Sequence, residues 1–257
     1  MKLASWNVNS IRIRRPAVEA WFEAGHADLV LLQETKCQDA AFPHQPWRDR
    51  GWHTLHTGSG GYNGVGIVSR EPLELVRDRL PGDDTDLQPR YLEALVSGLR
   101  VINVYCPNGN PAPGPKFDYK LAWMDRLARH LGSVLEANDG VPLVVGGDWN
   151  VIPTDADVWD PRAMAADALL QPETRASFRR ILWQGFTEAF RALNPTERAW
   201  TFWDYQAGAW PRDQGLRIDH FLLDPNAAER LVDCRIDRGP RGAEQPSDHT
   251  PIVVELQ

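Results

Sequence analysis

Val141-Pro142-Leu143-Val144-Val145-Gly146-Gly147-Asp148-Trp149-Asn150 is the stretch on which the reading of this chain turns. Its apolar run predicts a short strand buried on both faces. The Gly146-Gly147 pair predicts a tight turn, followed by Asp148 and Asn150 at alternate positions. Residues two apart on an extended chain point the same way, so these two side chains can face one ligand. A buried strand that ends on oxygen-bearing side chains is costly unless something polar is held there. One such end is usually no more than a polar step into a loop. Several in one chain mean something else.

Working outward, Lys2 to Val8 alternates, with Leu3, Ser5 and Asn7 on one side and Ala4, Trp6 and Val8 on the other, which predicts a strand. Asp28 to Glu34 is a second buried strand, and it ends on a carboxylate. Tyr91–Val96 and Leu99–Tyr105 flank Gly98 as a hairpin of two long strands, and the proline-rich loop 107–115 follows Tyr105 directly. Arg217 to Leu223 is a strand with Asp219 near its start, and Ser247-Asp248-His249 feeds a last strand that reaches Leu256. Further strands are expected at Trp52–His56, after the glycine-rich turn Gly58–Gly64, and at Cys234–Asp237.

Helices are expected from Pro16, placed in a first turn, to Gly25, and from Glu173 to Trp183. The clearest helical stripe is Phe117, Leu121, Met124, Ala128, Leu131 and Leu135. Residues 37–50 and 151–172 lack periodicity and are expected to be irregular, and Trp200–Tyr205 is a dense aromatic block. Strands in hairpins with helices inserted between some of them predict an α/β (α+β) fold. Two mixed, mostly antiparallel sheets should pack face to face with helices outside, as one domain over residues 1–257.

The net charge of −7 argues mildly against nucleic acid, because such binders present a basic face. Acidic residues that hold a divalent cation would be cancelled locally, however, and charge acts by patch. A local face of Arg12, Arg14, Lys116, Lys120 and Arg241 is the candidate. Cys37, Cys106 and Cys234 are odd in number, widely spaced and without zinc spacing, which predicts reduced thiols. The polar start and the lack of a long apolar run predict a soluble cytoplasmic protein with no membrane segment.

The polar positions beside strands are Asn7, Asn9, Glu34, Tyr105, Asn108, Asp148, Asn150, Asp219, Asp248 and His249. Carboxylates and amides are hard oxygen ligands, suited to Mg²⁺ or Mn²⁺ rather than zinc. With an Asp to orient water, a His and several amide donors, they form a set suited to attack on a phosphate ester.

Asn7-Val-Asn9-Ser-Ile-Arg12, Gln33-Glu34-Thr-Lys36, Tyr105-Cys-Pro-Asn108-Gly109, Gly147-Asp148-Trp-Asn150, Arg217-Ile-Asp219 and Ser247-Asp248-His249 resemble, in order, the motifs of the exonuclease III family of abasic-site endonucleases. That family lies within the wider endonuclease/exonuclease/phosphatase group. The resemblance implies a four-layered α/β sandwich with its site at one end of the two sheets. It implies Glu34 as principal Mg²⁺ (or Mn²⁺) ligand with Asn9 and Asp248 near the metal. Asp148 would orient or deprotonate the attacking water, and His249, held by Asp219, would contact the scissile phosphate. Asn7, Tyr105, Asn108 and Asn150 would contact phosphate and transition state.

The implied substrate is double-stranded DNA with abasic sites or blocked 3′ ends, cut by a monomer on the 5′ side of the abasic sugar. Removal of 3′ blocking groups and 3′→5′ exonuclease action accompany this in the family. Phe202, Leu216 and Ile218 would line a sugar pocket. Asn9 stands where some relatives have Asp, Leu216 where some have Trp, and Gln88-Pro89-Arg90 where others have Glu-Gly-Arg. Two rivals are a lipid-directed phosphatase or phosphodiesterase of the same wide group, and a DNA-binding module that has lost catalysis.

Overall fold

The computed structural model describes residues 1–137 and 139–257, and these form two six-stranded sheets. The first takes β1 (Lys2–Asn7), β2 (Leu29–Gln33), β3 (His53–Thr57) and β4 (Val65–Ser69) from the start of the chain, and β11 (Leu231–Ile236) and β12 (Ile252–Leu256) from its end. The second takes β5 (Glu74–Arg77), β6 (Tyr91–Val96), β7 (Leu99–Tyr105), β8 (Leu143–Asp148), β9 (Thr187–Glu188) and β10 (Asp219–Leu223). Their orders are β11-β12-β1-β2-β4-β3 and β5-β6-β7-β8-β10-β9. Each sheet has one parallel pair, β1 with β2 and β7 with β8, among otherwise antiparallel neighbours. A parallel pair needs a crossover, here α1 (Ile11–Glu23) and α3 (Pro115–Ala137).

Period-two alternation sends Leu3, Leu29 and Leu31 inward to meet Val101, Val144 and Phe221 of the other sheet. Ala4, Val30 and Leu32 point outward and are covered by Val18, Trp21 and Phe22 of α1. Ile102, Val104 and Val145 are covered likewise by Trp123, Leu127 and Leu131 of α3. Both faces of the central strands are therefore apolar, which is why they read as continuous runs. The expected four layers are present. A polar bond crosses the core beside the site: Gln33 Nε2 donates to Asn103 Oδ1 at 2.8 Å, and Asn103 Nδ2 donates to the Leu32 carbonyl at 3.0 Å.

The glycine pair is not a turn. Gly146 and Gly147 lie inside β8, opposite Asn103 and Val104 of β7. A Cβ on Gly147 would overlap the Val104 carbonyl, and one on Gly146 would overlap the Phe221 ring. Close approach requires them, and the chain turns only at Asn150, whose φ is 48°.

Helix α1 starts five residues before Pro16, because the Ser10 and Ile11 amides bond the Glu34 and Thr35 carbonyls at 2.7 and 3.0 Å and curl the chain directly off β1. The stretch 37–50 is not wholly irregular: α2 (His44–Arg48) is held by buried Trp47, whose Nε1 donates to Glu19 Oε1 at 2.7 Å. The short α4 (Pro172–Leu182) packs on α3, and α5 (Ala189–Leu193) and α6 (Pro225–Ala228) complete the chain. Among the described residues no helix is long and apolar enough to cross a membrane.

Candidate active site

The parallel strands β1, β2, β7 and β8 end at the same rim, so Asn7, Glu34, Tyr105 and Asp148 gather there. Ligand sites favour the carboxyl ends of such strands. β10 runs antiparallel to β8 and starts where β8 ends, which pairs Asp219 with Asp148. His249 arrives from the loop before β12, bridged to Phe202.

At the centre, Asn7 Nδ2 donates to Glu34 Oε1 at 2.9 Å and to Asp148 Oδ2 at 3.0 Å. One amide thus fixes two carboxylates. Asp148 also accepts from the Asn150 amide at 2.9 Å, and His249 Nε2 stands 3.8 Å from it. His249 Nδ1 bonds Asp219 Oδ2 at 2.8 Å, and Asp219 is itself held by the buried Thr201 hydroxyl, which accepts its backbone amide at 3.2 Å. Burial, reinforced by Asp219 and Glu34 and opposed by His249 and Asn7, pushes the Asp148 carboxyl up to about 7. Burial opposes charge on His249, but Asp219 and Asp148 outweigh it and hold the imidazole up to about 10. The site therefore pairs a carboxylate poised near neutrality with an imidazolium. Burial, Glu34 and Asp148 keep the Tyr105 phenol protonated.

On the outer side, Lys36 Nζ lies 2.9 Å from Glu34 Oε2 and 2.5 Å from Asn9 Oδ1, and Asn9 Nδ2 donates to Asp248 Oδ1 at 3.2 Å. Glu34 and Lys36 take left-handed backbone, as does Asn9, conformations that non-glycine residues adopt where surroundings enforce them. Although burial alone would raise it, the Glu34 carboxyl is held below its usual range by Asn7 and Lys36.

Among the described residues there are two candidate cation positions. Asp148, Asp219 and His249 bring ligand atoms within 4.8 Å of one another. An imidazolium offers no lone pair, and with Nδ1 on Asp219 at 2.8 Å and Nε2 3.8 Å from Asp148 this group behaves as an ion-paired triad. Glu34, Asn9 and Asp248 offer hard oxygens, and the Lys36 ammonium already sits on two of them, so positive charge is accommodated there. That donor set fits Mg²⁺ or Mn²⁺.

Asn150 Nδ2 donates to the Cys106 carbonyl at 2.9 Å, and its Oδ1 accepts from Asn108 at 3.2 Å. Arg90 bonds the Tyr105 carbonyl at 3.3 Å and lies over the Tyr105 ring at 4.7 Å. The aromatic pocket is smaller than expected. Leu216 and Ile218 are buried in a cluster with Val158 and Leu169, and Trp203 is buried. Phe202 alone of that group is half-open, edge-on to His249 at 5.0 Å.

The expected basic face also shrinks. Lys120 and Arg241 are buried, and Arg14 is spent on the Asn9 and Pro246 carbonyls and the Tyr205 hydroxyl. Arg12 and Lys116 remain exposed. Lys36 has no role in the sequence reading, and Thr201 and Tyr205 enter it only within the aromatic block. The signal for Lys36 is its place two residues after Glu34 in Gln33-Glu34-Thr35-Lys36.

This fold and rim define the endonuclease/exonuclease/phosphatase family, to which the chain belongs: the family's sequence profile matches residues 4–249. The chain is 34% identical to exodeoxyribonuclease III of Haemophilus influenzae, over all of both chains. It superposes with TM-score 0.97 on a Neisseria 3′ phosphatase bound to a product DNA hairpin, at 38% identity, covering 100% of this chain and 99% of that one. An AP endonuclease from Archaeoglobus fulgidus gives TM-score 0.95 and 38% identity, covering 100% of this chain and 99% of that one.

Proposed function

We propose that the protein is a DNA repair nuclease that hydrolyses the phosphodiester 5′ to an abasic site and trims 3′ ends, acting as a single-domain cytoplasmic monomer with Mg²⁺ or Mn²⁺ as cofactor. The observation that carries this reading is Asp148, fixed by Asn7 and raised to about 7, with the His249 imidazolium 3.8 Å from it. The activities named for the similar proteins, exodeoxyribonuclease, 3′ phosphatase and AP endonuclease, agree with it.

Asp148 takes a proton from a water as its oxygen attacks phosphorus, and the P–O3′ bond breaks in line. Asn150, Tyr105 and His249 donate to the phosphate oxygens as charge builds on them, and the departing 3′ oxygen takes a proton from solvent water and leaves as a hydroxyl. A divalent cation held by Glu34, with Asn9 and Asp248, would supply Lewis-acid stabilisation of that charge. The test is a duplex end-labelled beside one abasic site. The expected product ends in a 3′-hydroxyl immediately 5′ to that site, and a 3′-phosphate duplex should be dephosphorylated. Hydrolysis of a phosphoinositide headgroup but not of DNA would favour the lipid-directed rival, and binding without cleavage the inactive module.

Binding should weaken with salt despite the acidic total. Arg12→Ala and Lys116→Ala should each lower the slope of log K against log salt by roughly 0.9, and a flat salt dependence in the parent would remove DNA as the substrate. Phe202→Ala should keep fold and metal binding but lose discrimination. A bare sugar is cheap to extrude because no stacked base is lost, and Phe202 beside His249 closes the space a base would need. The ratio of abasic to intact-duplex cleavage should fall by about tenfold, roughly 1.4 kcal/mol. An unchanged ratio places the selecting surface elsewhere.

A further inference from the structure

We propose that Lys120 is a positioning residue for this reaction, its buried ammonium tying the loop that carries Asn108 to the loop that carries Asn150. The inference rests on the reading above that those loops cradle the scissile phosphate. Lys120 lies in the second turn of α3 and has no exposed surface. Its Nζ donates to the Pro107 carbonyl at 2.9 Å and to the Asn150 carbonyl at 2.6 Å, with Cys106 Sγ at 3.9 Å. Gly109 folds the first loop directly over the lysine stem. Its φ is +91°, and a Cβ there would stand 2.6 Å from Lys120 Cδ.

A buried ammonium is costly, and a neutral side chain of similar length would fill the space more cheaply. Burial pulls its pKa down, and the carbonyls, the Cys106 thiol and the nearby Asp148 and Asp167 charges compensate only in part. The charge joins two loops that otherwise touch through the side-chain amides of Asn108 and Asn150. Asn108 Nδ2 meets Asn150 Oδ1 at 3.2 Å, and the Asn150 amide in turn holds Asp148 Oδ1 at 2.9 Å. Release of the clamp displaces both amide donors and the base together, while the exposed cations Arg12 and Lys116 stay in place.

The experiment compares Lys120→Met, Lys120→Arg and Gly109→Ala with the parent. Steady-state kinetics are run on abasic duplex well below each melting temperature, and amide hydrogen exchange is followed at Asn110 and Asn150. A displacement on the order of 1 Å costs about 10²-fold in rate, so Lys120→Met should lose about that much kcat with KM within about threefold. Exchange at Asn110 and Asn150 should quicken, and Lys120→Arg should recover most of the rate. Gly109→Ala, which presses on the stem and leaves the charge, should lower kcat in the same way, and it decides the matter if the methionine variant does not fold. A kcat within twofold of the parent in the folded variants, or a fall in kcat without faster exchange in the two loops, overturns the clamp. If the parent itself cleaves no DNA, the functional reading fails, and the exchange comparison still tells whether the clamp exists.

Discussion

Asp148→Asn should lower kcat about 10³-fold with KM little changed, the size of effect expected when a positioned base is removed. The carboxylate is buried and aimed by two donors, the Asn7 side chain at 3.0 Å and the Asn150 amide at 2.9 Å. The parent should show a bell-shaped pH profile. Asp148 works as the carboxylate, so activity rises with pH up to about 7, where burial has placed that group. A divalent cation beside Glu34 moves this limb lower. His249 works as the imidazolium, so activity falls as pH passes about 10. In Asp148→Asn the acid limb should vanish, and the alkaline limb should remain but move to lower pH, because Asp148 helps to hold the imidazolium. An acid limb that persists in the variant would assign the base elsewhere.

Glu34→Gln should cost a comparable amount by a different route. Removing this charge leaves Asp248 as the one carboxylate of the outer set and takes from Lys36 its ion-pair partner at 2.9 Å, leaving it on Asn9. The Glu34 and Lys36 side chains are partly exposed, so losing their pair should change stability by less than about 1 kcal/mol. The expected result is a fold of near-parental stability, with Mn²⁺ affinity, read by titration calorimetry without substrate, lowered at least about tenfold. Activity should fall by several orders of magnitude, since Lewis-acid stabilisation carries much of such a barrier. Parental Mn²⁺ affinity in this variant would move the cation to the Asp148, Asp219 and His249 group.

The rim was legible because strand ends are written locally. An apolar run that stops at Glu34, Tyr105 or Asp148 announces both the strand and its polar terminus, and two parallel pairs then bring those termini together. What escaped the sequence depends on partners far along the chain. Gly146 and Gly147 look like a turn until Val104 and Phe221 are seen against them. Residues 44–48 have no stripe of their own and are helical because Trp47 is anchored on Glu19. Lys120 and Arg241 look like surface cations, yet one reaches two loop carbonyls and the other the Trp203 carbonyl. Leu216 and Ile218 belong beside Asp219 by sequence, but Ile152, Val158, Ala168 and Leu169 of the 151–170 segment bury them. A pattern of residue types sets which side chains are polar; only the packed chain tells which of them still face outward.

The most direct test is cleavage of a duplex carrying one abasic site by the parent protein, first stripped of metal with EDTA and then titrated with Mg²⁺. The arrangement of Asp148, His249 and Asn7 across from the Glu34 oxygens predicts no cleavage in EDTA. Recovery on adding Mg²⁺ should follow, with the cut falling 5′ to the site and leaving a 3′-hydroxyl. Full cleavage in EDTA, or none at saturating Mg²⁺ and Mn²⁺, would contradict it.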